Sequence, residues 1–209
     1  MTRIIFFVVG LLAVAGCTKE AAFHTDLAMD QRVIIAPATA DTVNMVVYSS
    51  SSWTMEAIDT APWATISKGS GSGKTYATVI TTDNSANLPR SARFVVKSGA
   101  KADTVQLGQK GIVPAIAITA TSVAAPAAGG AIQTAINTNL PLNIMNVSYT
   151  YDANGSDWIS GLQIANNSLS FNVAANGTTV ARTATILLSY LDAIGSTAKD
   201  SVKVTQPKP

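Results

Sequence analysis

Two segments of this chain carry the same residues in the same order, and this repeat constrains the fold more than any other feature. Each copy contains a tryptophan, an asparagine, an arginine six residues later, and a glutamine after an apolar strand. The copies are marked by Trp63, Asn84, Arg90 and Gln109, and by Trp158, Asn176, Arg182 and Gln206. The tryptophan and the glutamine are 46 residues apart in one copy and 48 in the other. Such a repeat predicts two domains of one kind.

The residues between these anchors predict β-strands. Residues 169–173 alternate between apolar and polar side chains, the period of a strand with one buried face. Segments 94–96 and 186–188 are short apolar runs, which predict strands covered on both faces. The glycine- and serine-rich segment 69–73 is predicted as a turn before a strand at 76–81.

Strands at this spacing, with turns rather than helices between them, predict an all-β chain of two tandem β-sandwiches. The predicted boundaries are a signal peptide at 1–16, a lipidated N-terminus and flexible tether at 17–30, a first sandwich at 31–112 and a more divergent second one at 114–209.

Cys17 is the only cysteine of the chain, and it follows an apolar run at 4–15. That run suits the core of a signal peptide and is too short for a membrane span, which needs about 20 apolar residues. Val14-Ala15-Gly16-Cys17 resembles a bacterial lipobox, in which the cysteine becomes the new N-terminus and carries lipid. The resemblance implies attachment to the outer membrane through Cys17, facing the cell surface or the periplasm. The mature chain then has no internal disulfide.

The charge balance excludes one class of partner. The chain has 14 basic and 12 acidic residues, a net charge of +2, and its lysines form no basic stripe. Nucleic-acid binding relies on such a stripe, so no nucleic-acid partner is predicted.

Candidate catalytic and metal-binding residues are sparse. His24 is the single histidine and lies in the predicted tether. The Gly73-Lys74-Thr75 sequence lacks the earlier glycine of a phosphate-binding loop, because position 68 is a lysine. Asp152 and Asp157 loosely resemble the start of a calcium loop without its distal glutamate. The sequence therefore predicts no enzyme, no cofactor and no metal.

The tryptophans allow two interpretations. Trp63 and Trp158 recur at a framework position, which favours the sandwich core. Trp53 either joins the core or stands at a loop tip formed by the serines at 49–52, where its ring could stack on a sugar. We take Trp53 and Tyr48 as candidate glycan-binding residues.

Two further tyrosines share one side of a predicted strand. Tyr149 and Tyr151 alternate with Thr150, so both rings point the same way. The pattern leaves open whether they face the core or an edge.

In their order, the repeated anchors resemble the BACON domain, an immunoglobulin-like β-sandwich of exported Bacteroidetes proteins that often precedes glycan-degrading domains. The second copy departs from this pattern, because Trp53 is replaced there by the 140–142 segment and the glycine-rich turn is missing. The resemblance implies a non-catalytic surface module for interaction or spacing, whose partners are glycans or other surface proteins. The alternative is an adhesin that captures polysaccharide or mucin for partner enzymes.

A short motif also recurs, in which aspartate precedes a hydroxyl residue and a small apolar one. It is similar to the O-glycosylation signal of exported Bacteroidetes proteins. The candidate modified residues are Thr42, Thr60, Thr104 and Ser201.

Overall fold

The computed structural model describes residues 25–153 and 155–209. Cys17, His24, the predicted signal peptide and most of the predicted tether lie outside these residues. Fifteen strands occur in the described part. Those of the first domain are β1 (Ala28–Met29), β2 (Val33–Ala36), β3 (Asp41–Ala57), β4 (Ala64–Lys68), β5 (Ser70–Thr81), β6 (Arg90–Ser98) and β7 (Lys101–Gln109). Those of the second domain are β8 (Ile116–Ile118), β9 (Ser122–Ala124), β10 (Gly130–Thr138), β11 (Asn146–Ala153), β12 (Ile159–Ala165), β13 (Ser168–Val173), β14 (Arg182–Leu191) and β15 (Thr197–Gln206).

In both domains the first strand is divided between two sheets. In the second domain β8 pairs antiparallel with β10, and β9 pairs parallel with β15. Its sheets have the strand orders β12-β13-β10-β8 and β11-β14-β15-β9. The first domain repeats these pairings, with β1 antiparallel to β3 and β2 parallel to β7. There β3 runs through both sheets and joins them into one seven-stranded hydrogen-bonded sheet in the order β2-β7-β6-β3-β5-β4, with β1 beside β3. These pairings are those of the two sheets of an immunoglobulin-like sandwich, so the predicted fold class is confirmed.

The two domains differ most at their longest strand. β3 has 17 residues, with a register shift between Ser49 and Ser52. Its first part pairs with β5, and its end, from Thr54 to Ala57, pairs with β6 in the other sheet. In the second domain, β10 and β11 share this role and are joined through a 3₁₀ turn at Leu142–Ile144. A bulge bends a strand, which lets β3 serve both sheets.

The cores are built by alternate residues of the strands. Phe94 and Val96 are buried while Val95 is half-buried, and Leu187 lies half-buried between two fully buried neighbours. The prediction that these two runs are covered on both faces is therefore wrong. Each sheet packs one face on the core and turns the other outward, as antiparallel sheets do.

The glycine-rich segment is not a turn. Residues 70–73 begin β5 and pair with β3. A Cβ on Gly71 would overlap Cγ2 of Thr75 and lie 2.9 Å from Cζ2 of Trp53, so the strand carries glycine where it passes these two side chains.

The first domain also starts earlier than predicted. Met29 is buried, and β1 pairs with Val47 and Tyr48 of β3. The Ser50 N–H donates to the Thr25 carbonyl at 2.8 Å. Residues 25–30, which were assigned to the tether, thus belong to the sandwich.

Candidate functional site

The recurring tryptophan, arginine and glutamine meet at one end of the first sandwich. The guanidinium carbon of Arg90 lies 4.5 Å from the centre of the Trp63 ring. Its Nε donates to Oε1 of Gln109 at 2.8 Å, and its Nη2 donates to the carbonyls of Thr82 and Asp83 at 2.8 and 2.9 Å. A ring face and carbonyl oxygens thus surround the positive charge.

The glutamine and the asparagine extend this network into the loops. Gln109 is fully buried, and its Nε2 donates to three backbone carbonyls, of which that of Thr82 is nearest at 2.8 Å. Nδ2 of Asn84 donates to the carbonyls of Leu88 and Lys110 at 3.0 Å each. These amides hold the loops in place by donating to their backbone carbonyls.

The second domain repeats the arrangement. Nε of Arg182 donates to Oε1 of Gln206 at 2.6 Å, and its guanidinium carbon lies 4.8 Å from the centre of the Trp158 ring. Its Nη2 donates to the carbonyls of Ala174 and Ala175. Desolvation lowers the pKa of Arg182, because burial disfavours the charged form.

The recurring asparagine is also equivalent in the two domains. Nδ2 of Asn176 donates to the carbonyls of Val180 and Pro207 at 2.9 Å each, as Asn84 does in the first domain. Every anchor of the repeat therefore holds the framework of a sandwich. We call each set of tryptophan, asparagine, arginine and glutamine the framework cluster of its domain.

Trp53 is not a binding residue. Only 1% of its surface is exposed, and its indole N–H is buried without a hydrogen-bond partner. It lies on the part of β3 that corresponds to the third strand of an immunoglobulin-like domain, where such folds bury a tryptophan. The prediction of a glycan site at Trp53 is wrong, because the serines beside it continue the strand and form no loop tip.

The counterpart of Trp53 in the second domain is not the 140–142 segment. Met55 lies opposite Val96, and Val147 lies opposite Leu188. Val96 follows Arg90 in the sequence by as many residues as Leu188 follows Arg182, so the two pairs are equivalent. Two residues before each comes Trp53 in one domain and Met145 in the other. A buried methionine thus fills the position of the tryptophan.

Three aromatic side chains close one edge of the second sandwich. The Tyr149 and Tyr151 rings are 5.4 Å apart, edge to face, and Tyr151 lies 5.6 Å from Trp158. The Tyr151 hydroxyl accepts the N–H of Ile159 at 3.1 Å and so joins β11 to β12. Tyr149 remains 40% exposed, and the neighbouring Tyr151 is the main cause of its raised pKa. Tyr151 and Trp158 thus face the core, and Tyr149 lies at the exposed edge.

Tyr48 is half-buried on the outward sheet face of the first domain. On this outward side of β3 and β5, Tyr48 is opposite Lys74, and Val46 is opposite Tyr76. Nζ of Lys74 is 5.5 Å from the centre of the Tyr48 ring, and a cleft of about 490 Å³ opens beside the two residues. We name this surface the tyrosine face; its members are Thr42, Asn44, Val46, Tyr48, Lys74, Tyr76, Thr78 and Ile80.

Sequence reasoning missed Tyr76, which is 56% exposed. The sequence predicts a strand at 76–81 but does not show which of its side chains point outward. The register of β3 against β5 shows that Tyr76 shares the outward face with Ile80, which is 46% exposed, and with Tyr48.

The candidate modification sites are all exposed. Thr42, Thr104 and Ser201 lie on strands, and each donates its backbone N–H to the carboxylate of the preceding aspartate at 2.8 Å. Thr60 lies in a loop, and the aspartate before it accepts three hydrogen bonds from Arg93.

Within residues 25–153 and 155–209, no three histidine, cysteine or acidic side chains come close enough to hold a metal ion. The same residues include no helix that is long and apolar enough to span a bilayer.

Comparison with solved structures gives partial likenesses. The chain is similar to a Bacteroides ovatus GH5 xyloglucanase solved with a XXXG heptasaccharide, at 21% identity and a TM-score of 0.37 over 48% of this chain and 21% of that one. It spans about a fifth of the length of that enzyme. It is also similar to an I-band fragment of titin, at 11% identity and a TM-score of 0.39 over 89% of this chain and 66% of that one. An endo-fucoidan hydrolase of glycoside hydrolase family 107 matches at 12% identity and a TM-score of 0.33 over 86% of this chain and 28% of that one.

No curated protein matches the chain. The family model of BACON, described as "Putative binding domain, N-terminal", matches it twice, at residues 51–110 and 148–207, together more than half of its length. Both matches contain the arginine and glutamine of a framework cluster. The chain therefore belongs to the BACON family and carries two of its domains in tandem.

Proposed function

We propose that this chain is a non-catalytic binding and spacing module of the cell envelope, anchored in the outer membrane by lipid on Cys17. What carries the proposal is the tandem pair of BACON domains, whose recurring polar side chains are engaged in the two framework clusters. A binding surface is therefore expected among residues outside the two framework clusters.

The anchor is tested by fractionating cells that express the chain with Cys17→Ala. The wild-type chain is expected in the membrane pellet with labelled fatty acid attached, and the variant in the soluble fraction. Thr18→Ala is the matched control and should stay in the membrane. A Cys17→Ala chain that remained in the membrane would contradict the lipid anchor.

Orientation is tested separately. We propose that the two domains face the cell surface, with the periplasmic face as the alternative. Protease added to intact cells should then remove both domains, whereas a periplasmic chain would be cut only after the outer membrane is opened.

A glycan-binding adhesin is the second candidate function. The observation that favours it is the tyrosine face, where Tyr76 and Ile80 are about half exposed and polar side chains lie beside them. In this role the chain would capture polysaccharide or mucin for partner enzymes. Binding to a polysaccharide array separates the adhesin from a module that only spaces or binds proteins.

A further inference from the structure

We propose that the tyrosine face of the first domain is a glycan-binding site for an uncharged polysaccharide chain. This inference rests on the proposed binding function and gives it a location and a ligand class. The face has two tyrosine rings at its centre, since Tyr48 and Tyr76 occupy diagonal positions on neighbouring strands. Diagonal side chains are roughly 7–8 Å apart, so one oligosaccharide can cover both rings.

The second domain provides an internal comparison. Thr82 and Ala174 donate their N–H groups to the carbonyls of Trp63 and Trp158 at 2.9 and 2.8 Å, which aligns β5 with β13. In the same way the backbone N–H groups of Asn84 and Asn176 donate to the carbonyls of Ala38 and Ala127. These equivalent bonds align β3 with β10. The pairs that occupy equivalent positions are Val46 and Ala135, Tyr48 and Asn137, Tyr76 and Ser168, and Ile80 and Asn172.

The equivalent face of the second domain is thus built from small and polar side chains. Both domains have equivalent strand pairings, with β3 in the places of β10 and β11, and both have a framework cluster. The fold therefore does not require aromatic residues on this sheet. Exposing Tyr76 and Ile80 to water has no structural benefit within the first domain, as is typical of a surface used for binding.

The charges indicate what kind of ligand fits. The opposite sheet of the first domain is crossed by ion pairs, from Arg32 to Asp103 at 2.7 Å and from Lys97 to Glu56 at 2.6 Å. Among the described residues, no ion pair involves the tyrosine face, and Lys74 is its single charged member.

The bordering carboxylates are already engaged. Asp30 accepts the N–H of Val46 at 2.9 Å, and Asp41 accepts that of Thr42 at 2.8 Å. Lysine and carboxylates together give a surface with little net charge, which complements an uncharged ligand better than an acidic one.

The polar members of the face can bind hydroxyl groups. Thr78 donates its hydroxyl to Oδ1 of Asn44 at 2.7 Å, and the exposed Asn44 also carries an amide NH₂ that can donate. Lys74 supplies further donors beside the Tyr48 ring. Aromatic faces stack on the apolar face of a sugar ring, while neighbouring donors hold its hydroxyls.

The test uses the full-length chain, purified in detergent, in native gels that contain xyloglucan, galactomannan or polygalacturonate. At least one of the two neutral polysaccharides should retard the wild-type chain. Tyr48→Asn and Tyr76→Ser, which introduce the residues of the second domain, should each weaken that binding at least tenfold. Tyr149→Ser is the matched control, because it removes an exposed tyrosine elsewhere and should leave the binding unchanged. Thermal unfolding of every variant checks that it is folded.

Each other result would overturn one part of the proposal: the location of the site, the class of ligand or the binding itself. Binding that survives both substitutions would overturn the site but not the binding function. Stronger retardation by polygalacturonate would overturn the uncharged ligand. Failure of both neutral polysaccharides, together with a tyrosine-dependent dimer in sedimentation, would assign the face to a second copy of the chain. Failure without a dimer would overturn this inference and leave the membrane anchor untouched.

Discussion

Arg182 and Gln206 lie directly opposite each other on β14 and β15, joined by a 2.6 Å hydrogen bond, and Arg90 and Gln109 repeat the pair in the first domain. A neutral amide stands where a carboxylate would be the common partner of a buried arginine. The amide is needed because its other end donates to backbone carbonyls, which a carboxylate could not do.

Replacing the arginine by lysine should therefore destabilise each domain. Lysine is a point charge and cannot donate from Nε and Nη2 in the same geometry, so Arg182→Lys should cost roughly 2–4 kcal/mol of unfolding free energy. Arg90→Lys should cost less, because Arg90 is only half-buried. Urea unfolding measures both. Arg93→Lys, in an exposed ion pair, is the control and should change stability by less than about 1 kcal/mol. Equal losses for Arg93 and Arg182 would contradict the framework role.

Acid should weaken the first domain. Hydrogen bonds from Arg93 and Arg32 lower the pKa of Asp59 and of Asp103 below the ordinary aspartate value of about 3.9. The unfolded chain then binds more protons than the folded one, so this stabilisation is complete above about pH 5 and is lost as the pH falls through the lowered pKa values.

The measurement is the unfolding temperature of the first domain between about pH 2 and pH 7. Asp59→Asn combined with Asp103→Asn should flatten the acid decline, whereas Asp152→Asn in the second domain should not. A decline of equal slope in the double variant would rule out these two ion pairs as its cause.

The repeated anchors could be predicted because the same residue types occur twice, in the same order and with nearly the same spacing. Their contacts are made by side chains at fixed distances from strand ends, so the order of Trp63, Arg90 and Gln109 was enough to indicate one framework. The position of Trp53 depends on a bulge at which β3 passes from one sheet to the other. No local sequence pattern predicts this bulge. The tyrosine face depends on the register between β3 and β5, which the residue pattern of neither strand shows by itself.

The packing of Trp53 against Gly71 gives another stability test. Trp53→Ala should cost roughly 3–5 kcal/mol, the usual loss for a large core side chain. Trp53→Phe should cost far less, since the indole N–H has no hydrogen bond to lose. Gly71→Ala should cost about 1–3 kcal/mol, because the new Cβ pushes the Thr75 side chain and the indole ring aside.

Gly177→Ala is the control for that series. No atom lies within 4 Å of a Cβ at this position, so the unfolding free energy should change by less than about 0.5 kcal/mol. If Gly71→Ala were equally neutral, the close approach of β5 to the indole would be refuted.

The candidate O-glycosylation sites yield the last prediction. At Thr42, Thr104 and Ser201 the preceding carboxylate is fixed by the same hydrogen bond, and the hydroxyl residue is exposed on a strand. If a transferase reads the aspartate together with the hydroxyl, these three sites present one common geometry. Asp103 also binds Arg32 through Oδ2, but its Oδ1 keeps the hydrogen bond to Thr104. At Thr60 both oxygens of the preceding carboxylate are held by Arg93, so the geometry differs from that of the other three and this site should be modified least.

Intact mass spectrometry of the chain from its native host tests whether these residues are glycosylated. We expect the mass to exceed that of the lipidated chain by equal increments, and Thr42→Val, Thr104→Val and Ser201→Ala should each remove one. Thr65→Val changes an exposed threonine that follows alanine, and it should remove none. A native mass equal to the bare chain plus lipid would exclude modification at all of these positions.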